Sequence, residues 1–331
     1  MTAGKPTRSL FSPKSAAVLA LGVALLVVSI RQAGVDNITA SIRSVGAWLA
    51  LVIVLGAARM ALRARAWATC SRVEHSEGLP FTAAFGAMLA ADALGNLTPL
   101  GMLASEPAKV VFARRHVSTA ASLSSVAVEN GFYTASVLTM LLGGVWVLLQ
   151  RAEVPPLLER MGEAIVAASA LTGLVALWMF WTRPALLSRA GHLLARLIGK
   201  PGSTETFDAL ERSVYDVVHW PAPRLVEVAL WEAGFHLLAV LEVWVVLRVM
   251  PGGETTSLQD AFLMETTGRF ITVAFKFVPY RLGVDEIGSG SLAQLIGLGA
   301  SAGVALALVR RVRILVLNVV GIILLARDRR R

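Results

Sequence analysis

Several charged side chains lie inside or beside stretches of this sequence that are otherwise apolar. Glu106 and Lys109 follow the apolar run 81–97, and Glu129 lies within the run 118–149. An ionised side chain at the centre of a bilayer costs on the order of 3 kcal/mol, so such residues normally face a polar cavity and a partner. The chemistry that they offer is electrostatic binding of an ionic group, such as the phosphate of a lipid.

The C-terminal half contains a similar set of charges. Glu286 ends the segment PYRLGVDE, just as Glu106 ends the segment PLGMLASE. A carboxylate at this place could contact a ligand, or it could cap the following helix by accepting hydrogen bonds from free backbone N–H groups. The sequence leaves both interpretations open. The candidate binding residues are Asn96, Glu106, Lys109, Glu129, Lys276, Arg281, Glu286, Arg310 and Arg313.

Glu129 and Arg310 occupy nearly equivalent places in two long apolar runs. If their helices begin near Ser118 and Ala300, each residue lies about 15–17 Å along its helix, close to the middle of a ~30 Å hydrocarbon core. Arg313 shares a helix face with Arg310 at a spacing of three. We therefore expect two cations facing a phosphate, with Glu129 as their counter-charge when the site is empty.

Composition indicates that the elements carrying these residues are membrane helices. The chain of 331 residues is 56% hydrophobic and only 16% charged, and its mean hydropathy is +0.67. These values are typical of a polytopic membrane protein. Basic cytoplasmic loops and anionic headgroups then explain the net charge of +9 better than nucleic acid does.

The sequence also favours binding over catalysis. Its single cysteine excludes an internal disulfide, and it lacks a metal-binding histidine pair, a Walker loop and a paired-acid motif. We therefore expect no metal, no cofactor and no enzymatic activity.

Apolar runs predict an all-α polytopic membrane protein with about six full transmembrane helices. These spans are placed at 15–30, 45–62, 118–149, 163–181, 225–249 and 300–326. Two further runs, 81–112 and 258–298, are interrupted near the middle by Pro and Gly. Because each half is too short to cross, we expect two re-entrant helical hairpins.

The distribution of lysine and arginine predicts the orientation. The basic segments 5–14, 63–72, 109–115, 183–224 and 327–331 can all be cytoplasmic, whereas the loop 251–259 contains no Lys or Arg. The prediction is a multi-pass protein of the inner, cytoplasmic membrane with both termini in the cytoplasm. The segment 183–224 is expected to include a basic amphipathic helix on the membrane surface.

The chain also contains an internal repeat. PLGMLASE and PYRLGVDE align on their proline and final glutamate at an offset of 180 residues. Residues 1–150 form the first repeat and residues 151–331 the second, each a helix, a helix, a hairpin and a helix. Since three crossings is an odd number, the second repeat is expected to be inverted, an architecture of secondary transporters.

Two groups of segments carry a resemblance to a known family. They are NLTPLGMLASEPAKVVFARR with VAVENGFY, and FVPYRLGVDE with ALVRRVRIL. These segments resemble the flippase-like transmembrane region of the lysylphosphatidylglycerol synthase family, over nearly the whole chain. The resemblance implies a membrane protein that binds and translocates, or otherwise handles, a lipid. Because no aminoacyl-transferase domain follows Arg331, we expect the synthase activity of some members to be absent.

The expected function is a lipid flippase or transporter that moves an anionic or polar-headgroup lipid by alternating access. The expected partner is a phospholipid, a polyprenyl lipid or another envelope lipid, and not nucleic acid. One alternative is a non-transporting partner or lipid-binding accessory of an envelope-lipid enzyme. A less favoured one is an ion-coupled transporter of a small anion. A lipid-modifying enzyme partner and a homo-oligomer are left open.

Overall fold

A computed structural model describes residues 31, 35–72, 78–97, 101–150, 156–198, 205–275, 278 and 281–328. Within these ranges all regular elements are helical, which confirms the all-α fold class. The N-terminal half contains α1 (Val35–Val45), α2 (Trp48–Cys70), α3 (Phe81–Leu97), α4 (Gly101–Ala113) and α5 (Thr119–Leu149). The remainder contains α6 (Pro156–Thr182), α7 (Leu186–Ile198), α8 (Glu205–Tyr215), α9 (Ala222–Arg248), α10 (Leu258–Ala274), α11 (Val284–Leu295) and α12 (Ala300–Asp328).

Three helical segments are long and apolar enough to cross a membrane: Thr119–Leu149, Glu159–Thr182 and Ala222–Arg248. A fourth candidate joins Thr39–Val45 to Trp48–Cys70 across a 74° bend. These segments match four of the six predicted spans. The predicted span 15–30 lies outside the described residues. The span predicted at 300–326 is α12, a helix of 29 residues whose middle carries three arginines.

Both predicted hairpins correspond to pairs of short helices. The helices α3, α4, α10 and α11 have 17, 13, 17 and 12 residues. At 1.5 Å per residue they are about 18–26 Å long, shorter than the ~30 Å core of a bilayer. Proline 107 lies inside α4 at its seventh position. The residues between α3 and α4, 98–100, lie outside the described part of the chain.

The order of helices recurs along the chain. Helices α2 to α5 begin at 48, 81, 101 and 119, and helices α9 to α12 begin at 222, 258, 284 and 300. A long helix, two short helices and a long helix therefore occur twice, roughly 180 residues apart.

The apolar core of the described residues consists of two large clusters and a smaller one that joins α2, α5 and α9. Trp67, Met88 and Val126 belong to the cluster formed by α2 to α5. Met264 and Leu306 belong to the cluster formed mainly by α9 to α12. Charged residues that the helices carry between these two clusters form the site described below.

The predicted amphipathic helix in 183–224 corresponds to α7, which packs against α8. Glu211 of α8 accepts hydrogen bonds from both the backbone and the hydroxyl of Ser188. The Tyr215 hydroxyl donates to the carbonyl of Pro184 at 2.8 Å. Leu193 stays 60% exposed, as expected of a helix that lies on a membrane surface.

Candidate functional site

A cavity of about 260 Å³ lies where α2 to α5 meet α9 to α12. Its wall is strongly charged although most of the surrounding helices are apolar. Among the residues that the structure describes, eight cationic side chains line it: Arg59, Arg63, Lys109, Arg269, Arg281, Arg310, Arg311 and Arg313. Four carboxylates line it as well: Asp92, Glu106, Glu265 and Asp285.

Glu265 of α10 is the central carboxylate of the wall. It accepts hydrogen bonds from Arg269 at 2.6 Å and from Arg59 at 3.5 Å, and it also pairs with Arg310. The residue is 4% exposed. One carboxylate therefore joins arginines from three helices, α2, α10 and α12.

Glu242 of α9 lies behind the wall and pairs with two guanidinium groups, one of which it shares with Glu265. Arg59 donates to it at 3.0 Å, and Arg313 donates to both of its oxygens. Arg59 thus bridges Glu242 and Glu265. Its guanidinium also lies 4.9 Å from the ring centroid of Phe235, a distance suited to a cation–π contact.

Glu129 of α5 forms a second centre with α2 and α4. Arg63 donates to it at 2.5 Å, and Lys109 lies 3.5 Å away. The Arg63 guanidinium also stacks 3.9 Å from the ring centroid of Tyr133. Because Glu129 is fully buried, these two cations are what make its charge tolerable there.

Glu106 and Glu286 have different roles. Glu286 is fully buried, accepts a hydrogen bond from the Gly283 backbone N–H at 2.8 Å, and pairs with Arg311 at 2.5 Å. It is thus a helix cap. Glu106 lies one and a half turns inside α4, lines the cavity, and contacts Lys109 at 3.1 Å and Asn130 at 2.8 Å.

The structure brings most predicted site residues together. Those that line the cavity are Asn96, Glu106, Lys109, Arg281, Arg310 and Arg313. Asn96 donates to Asp92 at 3.0 Å and to Asn318 at 3.3 Å, and Arg281 pairs with Asp285 at 3.2 Å. Glu129 and Glu286 are buried behind the wall. Lys276 lies outside the described residues.

The expected counter-charge relation between Glu129 and Arg310 is wrong. Glu129 pairs with Arg63 and Lys109, and the partner of Arg310 is Glu265. The two residues occupy equivalent positions along their helices, but the helices are rotated so that Glu129 faces α2 and α4 while Arg310 faces α10. The position of a residue along its helix sets its depth in the bundle, whereas the rotation of the helix about its axis decides which side chain it pairs with.

The basic segments 63–72 and 109–115 are not entirely loops. Arg63 and Lys109 were both assigned to cytoplasmic positive charge, yet they lie within α2 and α4 and pair with buried Glu129. Arg72, at the end of α2, is 50% exposed and pairs with Glu227 at 2.8 Å. Arg63 and Lys109 therefore belong to a buried ion-pair network, Arg72 lies at the surface, and the cytoplasmic location of these segments stays a prediction.

Sequence reasoning missed Arg59, Glu265 and Arg269 as site residues. A signal was present, because Glu265 and Arg269 are spaced by four residues within α10, and Arg59 and Arg63 by four within α2. That spacing places two charges on one helix face.

Two glycines make room for the arginines of α12. A Cβ atom at Gly56 would overlap the side chain of Arg313, and one at Gly268 would overlap the guanidinium of Arg310. Both glycines line the cavity. The close approach of these arginines to α2 and α10 thus requires the absence of a side chain.

Glu232 and His236 of α9 are held inside the bundle. The Ser136 hydroxyl lies 3.4 Å from Glu232 and 3.0 Å from Nε2 of His236. Neither residue lines the cavity. This geometry is that of a histidine hydrogen-bonded within the bundle.

A family model described as the lysylphosphatidylglycerol synthase TM region matches residues 15–321. The match includes every helix described above except the last few residues of α12. No curated protein and no solved structure matches the chain significantly.

Proposed function

Because this chain belongs to the family of the lysylphosphatidylglycerol synthase TM region, we propose that it transports a lipid across the inner, cytoplasmic membrane. The charged cavity binds the headgroup, and the protein opens this cavity to each side of the membrane in turn. The lipid is moved without chemical conversion.

The charged cavity is the observation that carries the proposal. Burying a charge in an apolar protein is costly, and a bundle held together by apolar contacts alone would need no such network. Within the described ranges, twelve charged side chains nevertheless line one cavity. Intramembrane charges that face a cavity characteristically mark the path of a polar substrate.

The cavity has room for a headgroup rather than for a whole lipid. Its volume of about 260 Å³ is slightly below the ~300–1,000 Å³ range of common small-molecule pockets. Acyl chains would remain outside it, beside the exposed apolar faces of the helices. Trp181 of α6 is 86% exposed and Leu230 of α9 is 64% exposed, as lipid-facing side chains are.

The repeated short helices support alternating access. We propose that α3 with α4 and α10 with α11 are re-entrant hairpins that enter from opposite faces, within two inverted repeats. Cavity residues come from both pairs, Glu106 and Lys109 from one and Glu265 and Arg269 from the other. Rocking of one repeat against the other would then open the cavity to alternate sides.

The test is lipid exchange in vesicles. Full-length protein is reconstituted into liposomes that contain a trace of fluorescent phosphatidylglycerol, and an impermeant quencher reports how fast the inner-leaflet probe reaches the outer leaflet. We expect exchange well above that of protein-free vesicles. Glu106→Gln should slow it, whereas Glu254→Gln, which alters an exposed carboxylate between α9 and α10, should not.

Folded protein that gives no exchange above protein-free vesicles would contradict the proposal. If such protein copurifies with an enzyme of envelope-lipid synthesis and raises its activity, the accessory function is the better account.

A further inference from the structure

Four arginines of the cavity share only two carboxylates. Glu242 and Glu265 together pair with Arg59, Arg269, Arg310 and Arg313. We call these four residues the arginine cluster. Since arginine is always protonated in proteins, the cluster and its two carboxylates carry two more positive than negative charges among the described residues.

The other charged groups of the cavity hold no excess of positive charge, because each cation has a carboxylate partner and Asp92, which accepts a hydrogen bond from Asn96 at 3.0 Å, adds one further carboxylate. Arg63 and Lys109 contact Glu129 and Glu106, so two cations meet two carboxylates. The pairs of Arg311 with Glu286 and of Arg281 with Asp285 are each neutral. Among the described residues, the excess of two positive charges therefore lies in the arginine cluster, and Asp92 on the neighbouring α3 reduces the excess of the cavity as a whole to one.

The arginine cluster also contains hydrogen-bond donors that lack an acceptor among the described residues. The Nε atoms of Arg59, Arg269 and Arg313 are buried and have no hydrogen-bond partner within the described part of the chain. Arg59 and Arg269 are each only 7% exposed, and all three residues line the cavity. Buried charged donors normally have acceptors, so the cavity beside them is suited to an acceptor of negative charge.

We propose that the arginine cluster binds a phosphate group carrying two negative charges, such as a phosphomonoester or a diphosphate. This inference rests on the proposed function in one respect, namely that the phosphate group belongs to a lipid. A dianion neutralises the cluster completely. A phosphodiester headgroup leaves one positive charge, and a zwitterionic headgroup leaves two. Arginine is also the side chain best suited to binding phosphate oxygens, so its chemistry agrees with the charge argument.

The test compares phosphatidic acid with phosphatidylglycerol on the unaltered protein. Full-length protein in phosphatidylcholine nanodiscs is titrated with each lipid, and bound lipid is counted by native mass spectrometry. At pH 8 we expect phosphatidic acid to bind at least about tenfold more tightly, which corresponds to ~1.4 kcal/mol. Equal affinities would overturn the proposal.

The pH dependence provides a second readout. The second ionisation of a phosphomonoester lies near pH 6, whereas the arginines stay charged. As the pH falls from 8 to 5 the headgroup of phosphatidic acid becomes a monoanion, so its advantage over phosphatidylglycerol should disappear. A preference that is unchanged at pH 5 would contradict a charge-matched site.

Variants locate the effect. Arg313→Gln removes one of the two excess charges and should abolish most of the preference, while Arg313→Lys keeps the charge and should retain it. Arg72→Gln is the matched control, because Arg72 pairs with Glu227 at the exposed end of α2 and should leave the preference unchanged. Full preference in folded Arg313→Gln would assign the lipid to another site.

Inorganic phosphate distinguishes a lipid headgroup from a free anion. If it displaces phosphatidic acid only in large excess, the lipid is the ligand, and if it does so at equal concentration, the site takes free phosphate. If neither phosphatidic acid nor inorganic phosphate binds, the proposed dianion site is wrong. If the protein exchanges both lipids between leaflets but binds them equally well, only the dianion site is refuted. If it binds phosphatidic acid more tightly but exchanges neither lipid, only the proposed transport is refuted.

Discussion

Replacing Glu265 with glutamine should destabilise the protein strongly, because one buried carboxylate serves three arginines. Arg269 lies 2.6 Å and Arg59 3.5 Å from its Oε1, and Arg310 contacts Oε2. At an effective dielectric constant of about 20, the attraction at these two distances is about 6 and about 5 kcal/mol. Desolvation offsets much of it, and removing one partner of a buried pair costs about 3–5 kcal/mol.

Thermal unfolding in detergent micelles measures this cost. Cys70 is the single cysteine of the chain and is 5% exposed, so a thiol-reactive dye reports its exposure on unfolding. At roughly 2 °C per kcal/mol for a large domain, Glu265→Gln should lower Tm by roughly 6–10 °C. Glu254→Gln, the same substitution at an exposed site, should leave it nearly unchanged.

A double-mutant cycle tests the reason for the loss. In the Glu265→Gln background Arg59 keeps its pair with Glu242, whereas Arg269 and Arg310 lose the carboxylate that they pair with. Arg310→Gln removes one of these two cations, so part of the stability should return. We expect a favourable coupling of about 1–3 kcal/mol. Effects that simply add, or a Tm for Glu265→Gln equal to that of the control, would refute the assignment of Glu265 as the central carboxylate.

Further substitutions test the remaining structural assignments. Gly268→Ala should displace the Arg310 guanidinium and lower both Tm and the rate of lipid exchange. Gly173→Ala, where a Cβ meets open space, should change neither. Equal effects of the two substitutions would contradict the close approach of Arg310 to α10. Glu286→Gln should reduce the yield of folded protein because it weakens a helix cap and a buried ion pair. Glu106→Gln should mainly slow lipid exchange. If Glu286→Gln mainly slowed exchange and Glu106→Gln mainly reduced the yield, the assigned roles would be contradicted. Arg114 and Glu254 are both exposed, and each can be replaced with cysteine in a Cys70→Ala background. The two cysteines should react with an impermeant reagent from opposite faces of sealed vesicles. Reaction of both from one face would refute the inverted layout.

The order of helices and the breaks between them could be predicted from local sequence. Pro and Gly interrupt the runs 81–112 and 258–298, and the short helices begin or end near those interruptions. The end of the segment PYRLGVDE likewise indicated a helix start, and Glu286 is the cap there. These features are fixed by residues close together in the chain.

The pairing of charges could not be predicted in the same way. Glu129 finds its partners in α2 and α4, and Glu265 finds two of its three in α2 and α12. Such choices depend on the rotation and crossing of helices, which spacing along one helix does not determine. The buried ion pair of Arg63 could not be predicted for the same reason, since a cation near the end of an apolar run resembles a loop charge until its partner is known.

Alternating access to the cavity can be measured directly with one cysteine. Ser105 lines the cavity on α4, and Ser105→Cys in the Cys70→Ala background places a thiol beside Glu106. We predict that this thiol reacts with an impermeant reagent added from either face of sealed vesicles, and that phosphatidic acid slows both reactions. A thiol that reacts from one face only, in folded protein, would contradict the account.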